Sequence, residues 1–411
     1  MPLHERPKLG TRPAPKIRPA TYLFAARALR DFGDGFVAIL LPVYLLALGF
    51  SPLQVGIIAT ASLFGSALLT IAVGLLGARC DLRPLLLAAT GLMMATGVAM
   101  AMVNEYALLL VIAFVGTINP SAGSVSVFVP LEHAALTREV TDLERTKMFA
   151  RYSLVGALAS AVGALAAATP DFMAVMGLDK LTAIKLMFVL YALVGVIGGL
   201  LYARIPRRRR VTGPEEASAL GPSRAIVLKL AALFSLDAFA GGFVVQSLLA
   251  LWLFERFDLS LAAAGMFFFW SGVLSAFSFP VAAWLSRRIG LINTMVFTHI
   301  PSSIALMLAA FAPTLPLALA LLLIRAALSQ MDVPTRSSYV MALVTKAERT
   351  AAASFTSVPR SLAAAASPAL AGVLFAASYR AWPLVLCGAL KIIYDLLLLV
   401  QFRHLKPPEE R

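Results

Sequence analysis

YLFAARALRDFGDGFVAILLPVYLLALG, residues 22–49, is long and apolar enough to cross a bilayer, yet it carries Arg27, Arg30, Asp31 and Asp34. A charge at the centre of a membrane helix costs about 2.5–3.5 kcal/mol on insertion scales, and is kept where it has a partner or a task. At about 100° per residue the four charges fall within an arc of about 100°, so one face of this helix is polar. The spacing also sets Arg27 against Asp31 and Arg30 against Asp34 as i,i+4 pairs of opposite sign, which lowers the cost of burying them. The rest of the chain reads as the housing for that face.

Working outward, the 411 residues are 60% hydrophobic and 14% charged, with a mean hydropathy of +0.86, well beyond a soluble chain. Hydrophobic windows cut at charges, Gly and Pro give twelve spans, near residues 22–48, 53–77, 85–103, 106–134, 147–168, 184–203, 226–254, 260–286, 291–311, 315–344, 351–377 and 383–402. The fold class is therefore an all-α polytopic membrane protein with twelve transmembrane helices. An even count puts both termini on one side. Arg6, Lys8, Arg12, Lys16 and Arg18 precede the first span, and clusters such as Arg207 to Arg210 occupy the even-numbered turns, so the positive-inside rule makes that side the cytosol. Most of the net charge of +14 is thus topology, and a nucleic-acid partner is not expected. The two cysteines, Cys80 and Cys387, are expected to be reduced, and the four histidines lack metal-ligand spacing.

The basic connection at 204–225 divides the chain into bundles at 22–203 and 226–402, flanked by cytosolic tails at 1–21 and 403–411. The bundles repeat one another: ValPro recurs at 129 and 333, ThrAspLeuGluArgThr from Thr141 matches ThrLysAlaGluArgThr from Thr345, and Ser153 matches Ser357 at the same offset of 204 residues. Two pseudo-symmetric six-helix bundles in parallel repeat are a transporter architecture.

The turn Gly74-Leu75-Leu76-Gly77-Ala78-Arg79-Cys80-Asp81-Leu82-Arg83 resembles the GxLaDrxGrk signature loop of the major facilitator superfamily at Gly74, Leu76, Arg79 and Arg83. Its repeat copy, Ala283 to Ile292, keeps Leu285, Arg288 and Gly290. Ala78 stands at the family's Asp position, with Asp81 nearby as a displaced charge. The resemblance implies a secondary transporter in which this loop latches the halves on the cytosolic side. It further implies that spans 1, 4, 7 and 10 line a central cavity.

On those spans lie the candidate residues. Asp34, flanked by Gly33 and Gly35 near mid-membrane, is the proton-coupling candidate, with Asp31 as its companion. The substrate or gating candidates are Arg30, Asn119, Asp237, Gln246, Arg325, Asp332, Arg336 and, on span 11, Arg360. Lys391 and Asp395 form a further i,i+4 pair on an outer span and read as structural. The expected activity is proton-coupled efflux of a small organic solute by alternating access, performed by a monomer in a bacterial inner membrane. Protons would be the coupling ion, and no cofactor or metal is expected. No GxxxxGK[ST] phosphate loop is present, so an ion gradient is the expected driving force. Two alternatives stand beside it: a carrier of an anionic metabolite or inorganic ion, and a sensor or scaffold that moves nothing. No enzymatic activity is expected.

Overall fold

The computed structural model describes residues 19–77, 81–122, 126–136, 142–206, 221–345 and 348–404. Every regular element among these residues is an α-helix, sixteen in chain order. Ten stretches are long and apolar enough to cross a membrane. The first helix, α1 (Pro19–Ala47), is not among them, because its charges interrupt the apolar window.

The helices follow the twelve predicted spans once consecutive short pieces are joined, a pattern compatible with twelve crossings. Spans 2 and 3 are α2 (Pro52–Gly77) and α3 (Leu82–Met102). Span 4 is split into α4 (Tyr106–Val115) and α5 (Phe128–Leu136). Span 5 is α6 (Asp142–Ala166) extended by α7 (Thr169–Val175), and span 6 is α8 (Lys180–Ala203). Span 7 is split into α9 (Arg224–Gly242) and α10 (Gln246–Phe257). Spans 8 and 9 are α11 (Leu261–Ile289) and α12 (Leu291–Ala310). Span 10 is split into α13 (Leu315–Ser329) and α14 (Asp332–Leu343), and α15 (Arg349–Ala376) and α16 (Trp382–Phe402) complete the chain.

Three of the four spans expected to line the cavity, spans 4, 7 and 10, are broken in mid-course, and a discontinuous helix leaves unpaired backbone groups available inside the membrane. In span 10 the helical ladder stops at Gln330 and Met331, four residues before Pro334, the residue that would be expected to kink it. Pro334 lies instead in the first turn of α14, where its missing N–H costs nothing.

The first eight helices and the last eight meet closely at the face away from the termini. A Cβ on Gly56 of α2 would sit 2.6 Å from the Pro368 carbonyl oxygen and 2.9 Å from the Gly372 Cα of α15. The Ala369 N–H, next to Pro368 in α15, donates to Thr60 Oγ1 at 2.9 Å. On the other side of the molecule a Cβ on Gly265 of α11 would meet the Ala164 carbonyl oxygen of α6 at 2.6 Å, and the Ala262 N–H donates to Asp171 at 3.3 Å. Small residues permit these backbone approaches where there is no water to drive association. Toward the termini the same α15 presents Ser354, Phe355 and Ser357 as exposed residues. Among the described residues, the backbone approaches at Gly56, Gly372 and Gly265 lie toward the end away from the termini.

Candidate functional site

α1 presents its charges to neighbouring helices of the first half. The Arg27 and Asp31 pair expected from the sequence is formed, with Nε 2.7 Å from Oδ2, and the Arg27 guanidinium lies 4.6 Å from the Tyr152 ring centroid. Arg30 departs from the expected i,i+4 pair with Asp34. It donates through Nη1 to Glu132 of α5 at 2.9 Å and reaches Asp31 through Nη2 at 3.3 Å. Glu132 is wholly buried and also accepts from Tyr152 and, at 2.5 Å, from Tyr202 of α8. A buried pair held this way is costly to break, by about 3–5 kcal/mol when one partner is removed.

Asp34 stands apart from that cluster. It lies beside the midpoint of the 29-residue α1 and is 2% exposed, and no described cation comes within ion-pair distance of it. Its contact is with α8: the Tyr191 hydroxyl is 3.3 Å from Oδ1. The same hydroxyl lies 3.1 Å from Thr117 Oγ1 and 3.1 Å from the Thr117 carbonyl oxygen, in the break of span 4. A tyrosine has one proton to donate. With Asp34 ionised, that proton goes to the carboxylate; with Asp34 protonated, the acid can donate to Tyr191, leaving the tyrosine proton for the Thr117 carbonyl.

From Thr117 the chain runs through Asn119, which is buried and whose Oδ1 accepts from the Ser121 N–H at 2.9 Å, to Pro120. The Pro120 carbonyl oxygen accepts at 3.0 Å from the N–H of Ser247, in the first turn of α10. That N–H has no partner within its own helix, so the break in span 4 supplies an acceptor for a donor stranded by the break in span 7. Gln246 opens α10 beside it.

The second half holds its own cluster. Asp237 on α9 receives Lys391 Nζ at 2.5 Å on Oδ1 and Arg336 Nη1 at 3.2 Å on Oδ2. Arg336 also donates to Asp332, one turn away, at 2.8 Å. The expected pairing of Lys391 with Asp395 is replaced: Asp395 is bound by His299 Nδ1, at 3.0 and 3.1 Å to its two oxygens. His299 Nε2 lies 3.3 Å from Lys391 Nζ. Arg325 and Arg360 are half-buried and make no ion pair with a described residue, and Arg360 Nε is buried with no hydrogen-bond acceptor.

Among the signature-loop residues, Gly74 falls in the last turns of α2, and Arg79 lies outside the described residues. Asp81 caps α3, accepting from the Arg83 N–H at 3.3 Å. Arg288 stacks over Trp284 at 4.4 Å, and Gly290 takes φ +89° between α11 and α12, a conformation that favours glycine. Cys80, too, lies outside the described residues, and Cys387 is free and buried.

His299, Tyr191 and Tyr202 were not candidates from sequence. The signal that could have flagged His299 is the polar stripe Thr294, Thr298, His299, Ser302 and Ser303, all buried on α12. For the tyrosines no local signal exists, since their acceptors lie 157 and 70 residues away.

The model of the Major Facilitator Superfamily matches residues 23–324 and 230–411. An uncharacterized membrane protein of Saccharomyces cerevisiae is 23% identical over 416 residues, covering 92% of this chain and 93% of that protein. Among solved structures, the nucleoside transporter NupG aligns with a TM-score of 0.72 at 12% identity, covering 94% of this chain and all of that one. A bacterial homologue of the human lysosomal transporter Spinster, in an inward-facing and unoccupied conformation, aligns at 0.69 and 14% identity over 93% and 94% of the two chains. The human organic anion transporter MFSD10 aligns at 0.63 and 16% identity over 94% of this chain and 100% of that one. At these identities the structures share the fold.

Proposed function

The chain belongs to the Major Facilitator Superfamily, a family of transporters rather than enzymes, and from that premise we propose that it exports a small organic solute by alternating access, with Asp34 as the proton-exchanging group. In this reading the protein is a monomer in a bacterial inner membrane. The termini face the cytosol, as the distribution of Lys and Arg argues, and the halves at 22–203 and 226–402 rock about the basic linker at 204–225. The seal at Gly56, Gly372, Gly265 and Ala164 then closes the outside, leaving the cytosolic end to admit solute, as in the loading state of an exporter.

The observation that carries the proton assignment is Asp34 itself: a buried carboxylate at the midpoint of α1 with no described ion-pair partner, touching Tyr191. Taking up a proton removes the charge that the site lacks a cation to balance. It also changes which acceptor Tyr191 serves, and thereby its grip on Thr117. Thr117 is three residues from Pro120, whose carbonyl holds Ser247 of the other half. The route from proton to interface is thus short, running from the Asp34 and Tyr191 side chains to the Thr117 backbone and on to the backbone bond between Pro120 and Ser247.

The test is transport in proteoliposomes against a panel of labelled solutes, with and without a pH gradient. Asp34→Asn should retain exchange of labelled for unlabelled solute while losing accumulation driven by the gradient. Unchanged accumulation removes Asp34 from the mechanism, and no solute movement by the native chain removes transport.

A further inference from the structure

The charges on the helices that carry the two clusters do not balance within either half. In the first, Arg27 and Arg30 face three carboxylates, Asp31, Asp34 and Glu132. In the second, the buried Asp237, Asp332 and Asp395 of α9, α14 and α16 lie among the buried Arg336 and the half-buried Arg325, Arg360 and Lys391 of α13, α15 and α16. Every carboxylate there is already engaged. Lys391 and Arg336 divide the two oxygens of Asp237, Arg336 also holds Asp332, and His299 covers both oxygens of Asp395.

Arg325 and Arg360 are the cations left over. Arg325 lies toward the outer helices, where Ser302 of α12 bonds its backbone carbonyl at 3.4 Å. Arg360 lies where α15 meets α9. One turn further along α15 the Ala364 carbonyl oxygen abuts Gly242, and two turns along Ser367 Oγ donates to the Phe239 carbonyl oxygen at 2.5 Å. Arg360 therefore lies on the stretch of α15 that packs against α9, the helix whose Asp237 is bonded by Arg336. A guanidinium with a buried, acceptor-free Nε and no ion pair to a described carboxylate is an arrangement that an incoming anion would stabilise.

We propose that Arg360 seats an anionic group, a carboxylate or a phosphate, of the transported solute. The planar fork of N–H donors suits either anion in bidentate fashion. Arg336, held by Asp237 and Asp332, supplies a fixed positive field behind the seat. The inference rests on the transport reading above and narrows its solute to one bearing an anion. An anion at Arg360 and a proton at Asp34 would together neutralise the excess charge of both halves.

Thermal unfolding of the full chain in phosphatidylcholine nanodiscs tests it, using small aromatic and aliphatic monocarboxylates, their neutral amides, the corresponding amines, and inorganic phosphate. Carboxylates or phosphate should raise the unfolding midpoint by a few degrees while amides and amines leave it in place, and Arg360→Gln should abolish the shift with Arg360→Lys retaining part of it. The ligand-free midpoint of Arg360→Gln should equal or exceed that of the native chain, because a cation without a partner has been removed; a structural arginine would give the reverse. Equal shifts from amides and carboxylates, no shift from any anion, or a shift that survives Arg360→Gln overturns the proposal. A shift obtained only by adding anionic lipid to the nanodisc overturns the solute assignment. Because the readout is binding, carboxylate stabilisation without movement of those carboxylates in proteoliposomes would sink the transport reading and leave the seat standing.

Discussion

The N–H of Ser247 and the carbonyl oxygen of Pro120 lie 3.0 Å apart, and with that bond two interrupted helices from opposite halves of the molecule complete each other's backbone. Pro120 follows the end of α4, and Ser247 is the second residue of α10. An unsatisfied backbone group in a low-dielectric interior costs several kcal/mol, so neither break is comfortable alone. Any rearrangement that separates the halves at this depth must find these two groups new partners, water included.

Ser247→Pro tests that junction selectively. Position 247 is in the first turn of α10, where proline fits the helix and the lost N–H has no partner within the helix. The substitution should shift the population toward separated halves by about 5-fold, the equivalent of a net hydrogen bond of about 1 kcal/mol. Spin labels at Met176 and Phe311, both strongly exposed at the sealed end, would report it as a longer distance component in pulsed electron resonance. An unchanged distance distribution would show that the contacts at Gly56, Gly265, Thr60 and Asp171 hold that end without this bond.

Tyr191→Phe separates the proton from the interface. It removes the hydroxyl that touches both Asp34 and Thr117 while keeping the ring beside Gly33. Solute exchange should continue, but its dependence on the pH gradient should fall at least several-fold. Gradient-driven accumulation equal to that of the native chain would mean that Asp34 reaches the span 4 break by another route.

How much of this was legible in advance varies with the range of the interaction. The spans follow from hydropathy, because the bilayer imposes a length and a composition on each. Partners that lie far away in the chain do not follow. Arg30 and Asp34 are well placed on a bare helix, yet Arg30 turns to Glu132, 102 residues distant, which offers it a second bond network with Tyr152 and Tyr202. Lys391 and Asp395 part for the same reason, drawn to Asp237 and His299 on other helices. The Asn119-Pro120 dipeptide marks one break; the interruption at Phe243 to Val245 is apolar and carries only Gly241 and Gly242 before it as a hint.

Glu348, ahead of α15, gives a pH dependence outside the membrane. Its carboxylate is held down to about 2 by donors from Thr345, then from Ser223 and the Gly221 N–H, at 2.7 Å from Thr345 Oγ1, 2.8 Å from Ser223 Oγ and 2.7 Å from Gly221 N. A folded-state value below that of the unfolded chain adds stability above the ordinary glutamate range near 4.3, and that stability is lost as pH falls toward 2. The unfolding midpoint of the native chain should therefore drop between about pH 5 and pH 3 more steeply than that of Glu348→Gln, and parallel curves would place the acid sensitivity elsewhere.

His299 Nδ1 faces Asp395, while Nε2 faces Lys391 at 3.3 Å and Asp237 Oδ1 at 3.9 Å. Lys391 is a donor only, so the contact at 3.3 Å calls for a neutral imidazole whose Nε2 accepts and whose Nδ1–H donates to Asp395 at 3.0 Å. With four histidines in the chain, nitrogen-15 labelling of the imidazoles can resolve this one. Its Nε2 should resonate as an unprotonated nitrogen, and a protonated Nε2 would contradict the arrangement. Substitutions should then rank by what they leave for Asp395, which is fully buried. Asn, whose amide can still donate to that carboxylate, should cost less than Leu, which leaves it bare and should destabilise the fold by about 3–5 kcal/mol. The same ranking should hold for Lys391 substitutions measured by thermal unfolding, with Met worse than Arg, since Asp237 would otherwise keep Arg336 as its one close cation.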